Sequence, residues 1–313
     1  VARSLNNLGA IYKNLGQYQK AIDFYQQSLA IKKQIGDRDG EATSLNNLGL
    51  VYDYLGQYQK AIDFYQQSVA IAKQIGESSI EARSLNNLGA AYDRLGQYQK
   101  AIDFYRQALE MQEKIGDRQG EAKTLNNLGI VYTNLRQYQR AINLHQQSLA
   151  IEKQIGDRQG EATSLNNLGF NFNQLGQTEI SILFYKQSVN VFESIRQSLK
   201  ELKEEEQQSF TNTIASSYRN LADLLLKQGR IMEALQVLDL LKVQELEDYL
   251  KNIKGSDRSV QGVQLLEPEK AISDKLLAVS YDNSKEINSQ LAKQIQQLPK
   301  SEINKIPDYS NPK

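Results

Sequence analysis

The chain has no cysteine and no tryptophan, a single histidine at His145, and four prolines, Pro268, Pro299, Pro307 and Pro312, all near its C-terminal end. Without cysteine there is no disulfide framework, thiol nucleophile or thiolate metal ligand, and one histidine excludes His-pair metal sites. A Ser-His arrangement survives these exclusions, but it needs an oriented serine and an oxyanion site, and no serine is singled out. Charge of either sign is not in excess: 37 Lys and Arg oppose 37 Asp and Glu. Surfaces for nucleic acid or anionic membrane need a surplus of Lys and Arg to displace counterions. No apolar run approaches the roughly 18 residues of a membrane span, and residues 1–8 lack the basic and apolar segments of an export signal. These absences predict a soluble, cytoplasmic chain that binds neither nucleic acid nor membrane, carries no metal or cofactor, and is not an enzyme. Its 313 residues would ordinarily suggest two domains. A hydrophobic content of 40 % with mean hydropathy −0.57 suits an elongated helical array better than compact globules.

What the chain does have is a repeat. The pentapeptide LNNLG begins at Leu5, Leu45, Leu85, Leu125 and Leu165, each 40 residues after the last. In the first copy Leu5, Leu8-Gly9 and Tyr12 share one helical face, and Ala21, Ile22, Phe24, Tyr25, Leu29 and Ile31 follow on a second helix. Gly16 and Gly36 stand where the helices should end, and Asp37 is placed to cap the next one. The order Leu-x2-Leu-Gly-x2-Tyr, then Ala-x3-Tyr, resembles the tetratricopeptide pattern, with Leu for Trp and Tyr for Phe. The 40-residue length is similar to the repeats of kinesin light chains, Leu-Gly-Asn-type scaffolds and many bacterial signalling proteins. The resemblance implies an all-α fold, a right-handed superhelix of helix pairs, and a protein- or peptide-binding role.

Departures between copies are informative. Arg136 replaces the glycine of Gly16, Gly56, Gly96 and Gly176, so it must accept a left-handed backbone or end its helix differently. Glu77-Ser78-Ser79-Ile80 replaces the Asp-Arg-x-Gly linker. In the fifth copy Thr178 stands for Tyr18 and Ser181 for Ala21, as expected of a terminal repeat with one face uncovered. His145 shares a column with Tyr25, Tyr65, Tyr105 and Tyr185, which predicts a packing role.

Three regions are expected: five repeats over 1–195, a degenerate sixth pair with a long first helix over 196–253, and a linker with short helices and a mobile tail over 254–313. The sixth pair rests on Tyr218, Leu221-Ala222, Leu225, Gln228-Gly229-Arg230, Ala234 and Leu238. The run from Leu202 to Glu206 reads as a solvated helix face, and Glu267-Pro268-Glu269 as a helix start with Pro at its first position. Residues 217–252 resemble the stretch that follows the repeats in bacterial, especially cyanobacterial, proteins carrying a CHAT domain, a caspase-like protease. That resemblance implies a fragment whose covalently linked C-terminal effector domain would begin after Lys313. Val1 aligns with Glu41, which suggests a start inside a helix.

Helix A varies strongly at four columns, represented by residues 3, 10, 13 and 14 of the first copy. Residues 3, 10 and 14 form one stripe with residue 7, opposite the Leu5/Leu8/Tyr12 face, and in stacked pairs that stripe lines the concave surface. Its constant members are Asn7, Asn47, Asn87, Asn127 and Asn167. A carboxamide offers a donor and an acceptor to the main chain of an extended peptide, and in proteins that these repeats resemble the matching Asn is a recurrent peptide contact. The alternative is that the asparagines bond a neighbouring helix and fix repeat spacing, as the adjacent Asn6, Asn46, Asn86, Asn126 and Asn166 could. The expected selective residues are Arg83, Lys123, Asp53, Asp93, Tyr54, Arg94 and Asn134. A structural spacer or self-association module with an empty groove is the competing function.

Overall fold

The computed structural model describes residues 1–199, 204–249, 263, 265–273 and 281–299. Every regular element among them is an α-helix, so the all-α class of consecutive helix pairs is found. The chain divides into two units, Val1–Arg136 and Gln137–Lys313.

The first unit contains α1 (Ala2–Asn14), α2 (Tyr18–Gln34), α3 (Arg38–Tyr54), α4 (Tyr58–Ile75), α5 (Ser78–Arg94), α6 (Tyr98–Ile115) and α7 (Arg118–Asn134). Within this unit successive helices pack on one another from α1 through α7, and α1, α3, α5 and α7 also touch in succession. The repeated leucines explain the stacking: Leu45, Leu48 and Val51 are at most 1 % exposed, between the helices of their own copy and the preceding one. Burying a side chain of this size contributes roughly 1.5–3 kcal/mol. Tyr52 stacks on Phe64 and Tyr92 on Phe104 at 5.3 Å, joining helix A to helix B. Gly49 permits that closeness, since a Cβ there would lie 2.6 Å from the Tyr65 ring.

The linkers follow the expected chemistry. Asp37 and Asp117 cap α3 and α7, each accepting from the backbone N–H of Gly40 or Gly120 at 2.9 Å. In the third copy Glu77 makes no side-chain cap, and Ile80 at the glycine position is buried in the core instead. Arg136 takes the left-handed option with φ 58°. A non-glycine residue there costs about 1–2 kcal/mol, partly offset by the chain entropy that glycine loses on folding. Arg136→Gly should therefore stabilise the protein by about 0.5–1 kcal/mol, read as a higher urea midpoint.

The second unit holds α8 (Tyr138–Ile155), α9 (Arg158–Gln174), α10 (Thr178–Leu199), α11 (Glu204–Lys227), α12 (Ile231–Tyr249), α13 (Glu267–Ser273) and α14 (Tyr281–Gln297). Asp157 caps α9 through Gly160. His145 on α8 is 0 % exposed, and burial pushes its pKa down to about 3, so the ring is neutral near pH 7. The helix pair α11 and α12 packs on α10 around Tyr218, Leu221, Leu225 and Ala234. Helix α13 begins one residue before Pro268, which occupies its second position, where the backbone N–H would again have no intrahelical partner.

One expectation needs correction. The substitutions of the fifth copy do not mark an uncovered end: Ser181 is fully buried and donates to the Gly169 carbonyl at 2.6 Å, while α11, α13 and α14 meet the surface of α10. Leu202 and Lys203, the linker over 254–262 and the expected tail over 300–313 lie outside the described residues.

Candidate peptide-binding face

The expected stripe on helix A is accessible in the first unit. Arg83 and Lys123 are exposed at one end of it, Asn47, Asn87 and Asn127 are half-buried in the middle, and Tyr54, Arg94 and Asn134 are exposed at the other end. Asn7 is exposed on α1, and in the second unit Asn167 is half-buried on α9.

The asparagines form a ladder with the column beside them. Asn47 donates through Nδ2 to Oδ1 of Asn6 at 3.1 Å, Asn87 to Asn46 at 2.9 Å, and Asn127 to Asn86 at 3.2 Å. Asn46 and Asn86 are 3 % and 5 % exposed, and each also accepts from a hydroxyl of the next copy, Ser84 or Thr124. The inner column therefore holds the outer one in a fixed rotamer. Asn47, Asn87 and Asn127 each use one N–H in this way, and their Oδ1 atoms have no hydrogen-bond partner among the described residues. A carboxamide held by one bond has already lost rotamer entropy, which lowers the cost of any further bond it makes.

The variable columns pair with each other across copies. Lys13 Nζ lies 5.9 Å from the Tyr54 ring centroid, Arg94 binds the Asp53 carboxylate, and Asn134 donates to Asp93 at 3.3 Å. All three pairs are 41 residues apart, so the end of one helix A lies beside the end of the next. Tyr54 also stacks on Tyr18 at 5.9 Å, and the Arg94 guanidinium lies 5.9 Å from the Tyr58 ring. Asp53 is 6 % exposed, and burial raises its pKa against the pull of Arg94; its Oδ1 is buried with no hydrogen-bond partner among the described residues. Burial raises Asp93 too, opposed by the Asn134 bond.

Family comparison agrees with this geometry. A tetratricopeptide repeat model matches residues 1–74 and 120–194, and a second tetratricopeptide repeat model matches 82–114, together more than half of the chain. The chain belongs to the tetratricopeptide repeat family. BtubC (BKLC) from P. vanneervenii is similar in structure, with a TM-score of 0.62 and 19 % identity over 80 % of this chain and 97 % of that one. The nearly identical TPR-like repeats assigned to a kinesin light chain of Podosopora anserina align with a TM-score of 0.53 and 24 % identity, covering 62 % of this chain and 96 % of theirs. The apo form of RapI aligns with a TM-score of 0.56 and 14 % identity over 80 % and 99 %. At these identities the likeness concerns the fold. No curated protein matches by sequence.

The tetratricopeptide models name no catalytic family. Among the described residues no group of His, Asp and Glu is arranged to hold a metal ion, and no helix is long and apolar enough to cross a membrane.

Reasoning column by column missed the cross-copy pairs, although comparing positions 41 apart would have shown Lys with Tyr, Asp with Arg and Asp with Asn. It also missed a buried ionic cluster in the second unit, formed by Glu179, Lys186, Arg230, Glu233 and Glu269.

Proposed function

We propose that this tetratricopeptide protein is a non-catalytic binding scaffold that takes an extended peptide along the helix A stripe of its first unit, where the Asn7, Asn47, Asn87 and Asn127 column contacts the peptide main chain. The observation that carries the reading is the ladder: Asn47, Asn87 and Asn127 are held in place by the preceding copy while their Oδ1 atoms remain available. Selectivity falls to Arg83 and Lys123 at one end, and to Tyr54, Arg94, Asn134 and the half-buried Asp93 at the other, with Asp53 orienting Arg94. The resemblance of residues 217–252 to the post-repeat stretch of CHAT proteins supports a place as the sensor or adaptor arm of a larger cytoplasmic signalling protein.

The test uses peptides selected from a random library against the full chain. Two lost hydrogen bonds of about 0.5–1.5 kcal/mol each should weaken the best peptide by about tenfold or more in Asn87→Ala/Asn127→Ala, measured by fluorescence anisotropy. Unchanged affinity, or no peptide enriched, would leave the ladder as architecture that sets repeat spacing.

A further inference from the structure

Helix B of the first four copies presents an exposed face of polar residues and alanine: Asp23, Asp63, Asp103 and Asn143 are exposed, as are Gln26, Gln66 and Arg106, and Ala30, Ala70, Glu110 and Ala150. In the fifth copy the same three columns hold Leu183, Lys186 and Asn190. Leu183 and Lys186 are fully buried, and Asn190 is half-buried. What meets them is a segment some 70 to 90 residues further along the chain. The Asn190 carboxamide bonds the main chain of Val263 at both groups, accepting from its N–H at 2.7 Å and donating to its carbonyl at 3.1 Å. Val263 itself is 2 % exposed and belongs to the same apolar cluster as Leu183, with Leu265 and Ile272 packed against it. Six residues beyond Val263, the Glu269 carboxylate sits between two cations. Its Oε2 accepts from Lys186 at 2.7 Å and its Oε1 from Arg230 at 2.8 Å, while the Leu266 N–H also binds Oε2 at 2.7 Å.

These contacts are those of peptide recognition: a two-point amide grip on main chain, an apolar subsite, and two cations that share a carboxylate. The charge count fits a receptor with a separable ligand. Lys186 and Arg230 already have Glu233, and Arg230 has Glu179, so the four residues contributed by the helix pairs sum to zero. Glu269 enters as a fifth, surplus charge. We infer that the helix B face of the fifth copy is a second peptide site, separate from the helix A stripe, filled in cis by Val263 and residues 265–273. Its ligand class is a segment with an apolar residue gripped at its main chain and a carboxylate six residues later. A partner presenting that pattern exchanges with the chain's own segment.

The absence of cysteine gives a direct test. Val263→Cys places the only thiol of the chain inside the site, and its reaction with a thiol reagent reports undocking. The free peptide VQLLEPEKAIS, identical to residues 263–273, should accelerate labelling of the 313-residue variant about tenfold in a saturable manner. The same peptide with Gln for its second glutamate should not. Glu269→Gln in cis should raise the labelling rate without peptide, with helical circular dichroism checking that the unit stays folded. If the free peptide leaves the rate unchanged, and labelling follows denaturant in step with loss of helix, residues 263–273 are an inseparable part of the fold and the proposal fails. That outcome would not touch the helix A reading, which is tested on a different surface.

Discussion

Replacing Lys186 with methionine is expected to destabilise the second unit by about 3–5 kcal/mol, the cost of breaking a buried ion pair from one side. The side chain of Lys186 is 0 % exposed and its ammonium contacts Glu233 at 2.6 Å and Glu269 at 2.7 Å. Burial pushes the Glu269 pKa up, but Lys186 and Arg230 pull it below the usual carboxylate range, so the ionised form depends on both cations. With Lys186 present, two cations face three carboxylates among the described residues, a net charge of −1. Without it the net charge is −2, in surroundings too dry to screen it. Adding Glu269→Gln restores −1, and the double variant should recover much of the loss. The coupling energy from the four urea midpoints measures this directly. A single-variant cost below about 1 kcal/mol would mean that these charges are solvated and have the small value of surface pairs.

The second large effect depends on pH. His145 is fully buried and its pKa is pushed down to about 3 by desolvation, against 6.5 for an ordinary imidazole. Above pH 6.5 the folded and unfolded states are both neutral there, and the group gives no pH dependence. As pH falls from 6.5 toward 3 only the unfolded state takes the proton, so stability drops by about 1.4 kcal/mol per pH unit, or about 2 kcal/mol by pH 5. Carboxylates with raised values, Asp53, Asp93, Glu152 and Glu179, act in the opposite sense: the folded state holds their protons more tightly, which favours folding as pH falls. Comparing the chain with His145→Tyr, the residue of the other four copies, isolates the histidine. The variant should lose the acid-side slope between pH 6.5 and 4 in urea titrations, whatever its stability at pH 7. Parallel profiles for the two proteins would show that the imidazole is protonated in place.

The parts of the fold that could be read in advance are those whose partners are near in sequence or recur with the period. Leu45, Leu48 and Val51 pack against the adjoining copy, and Asp37 bonds a glycine three residues away. The Asn47 series was recognisable as a stripe by spacing alone. Its bonds to the Asn6 series were open, because an exposed contact and an inter-repeat bond call for the same side chain. Asp53 and Arg94 each look like a free charge when their columns are read singly, and only the offset of 41 joins them. The C-terminal site was hidden for a stronger reason. Asn190 and Val263, or Lys186 and Glu269, meet without any period, so the fifth copy's substitutions resembled decay.

The pairs between successive copies also bear on assembly. A chain of nearly identical modules risks joining in the wrong order, since the helix A of copy three could dock on copy one with its leucines equally well buried. Such a skipped junction would bring Arg94 to Lys13 instead of Asp53, replacing an ion pair with two like charges. Copy four docked on copy two would leave Asp53 facing Asn134, with Arg94 unpaired. Each junction of the first unit thus has its own match, a cation with an aromatic ring, an acid with a base, an acid with an amide, so side chains at the rim number the modules that the shared core cannot tell apart.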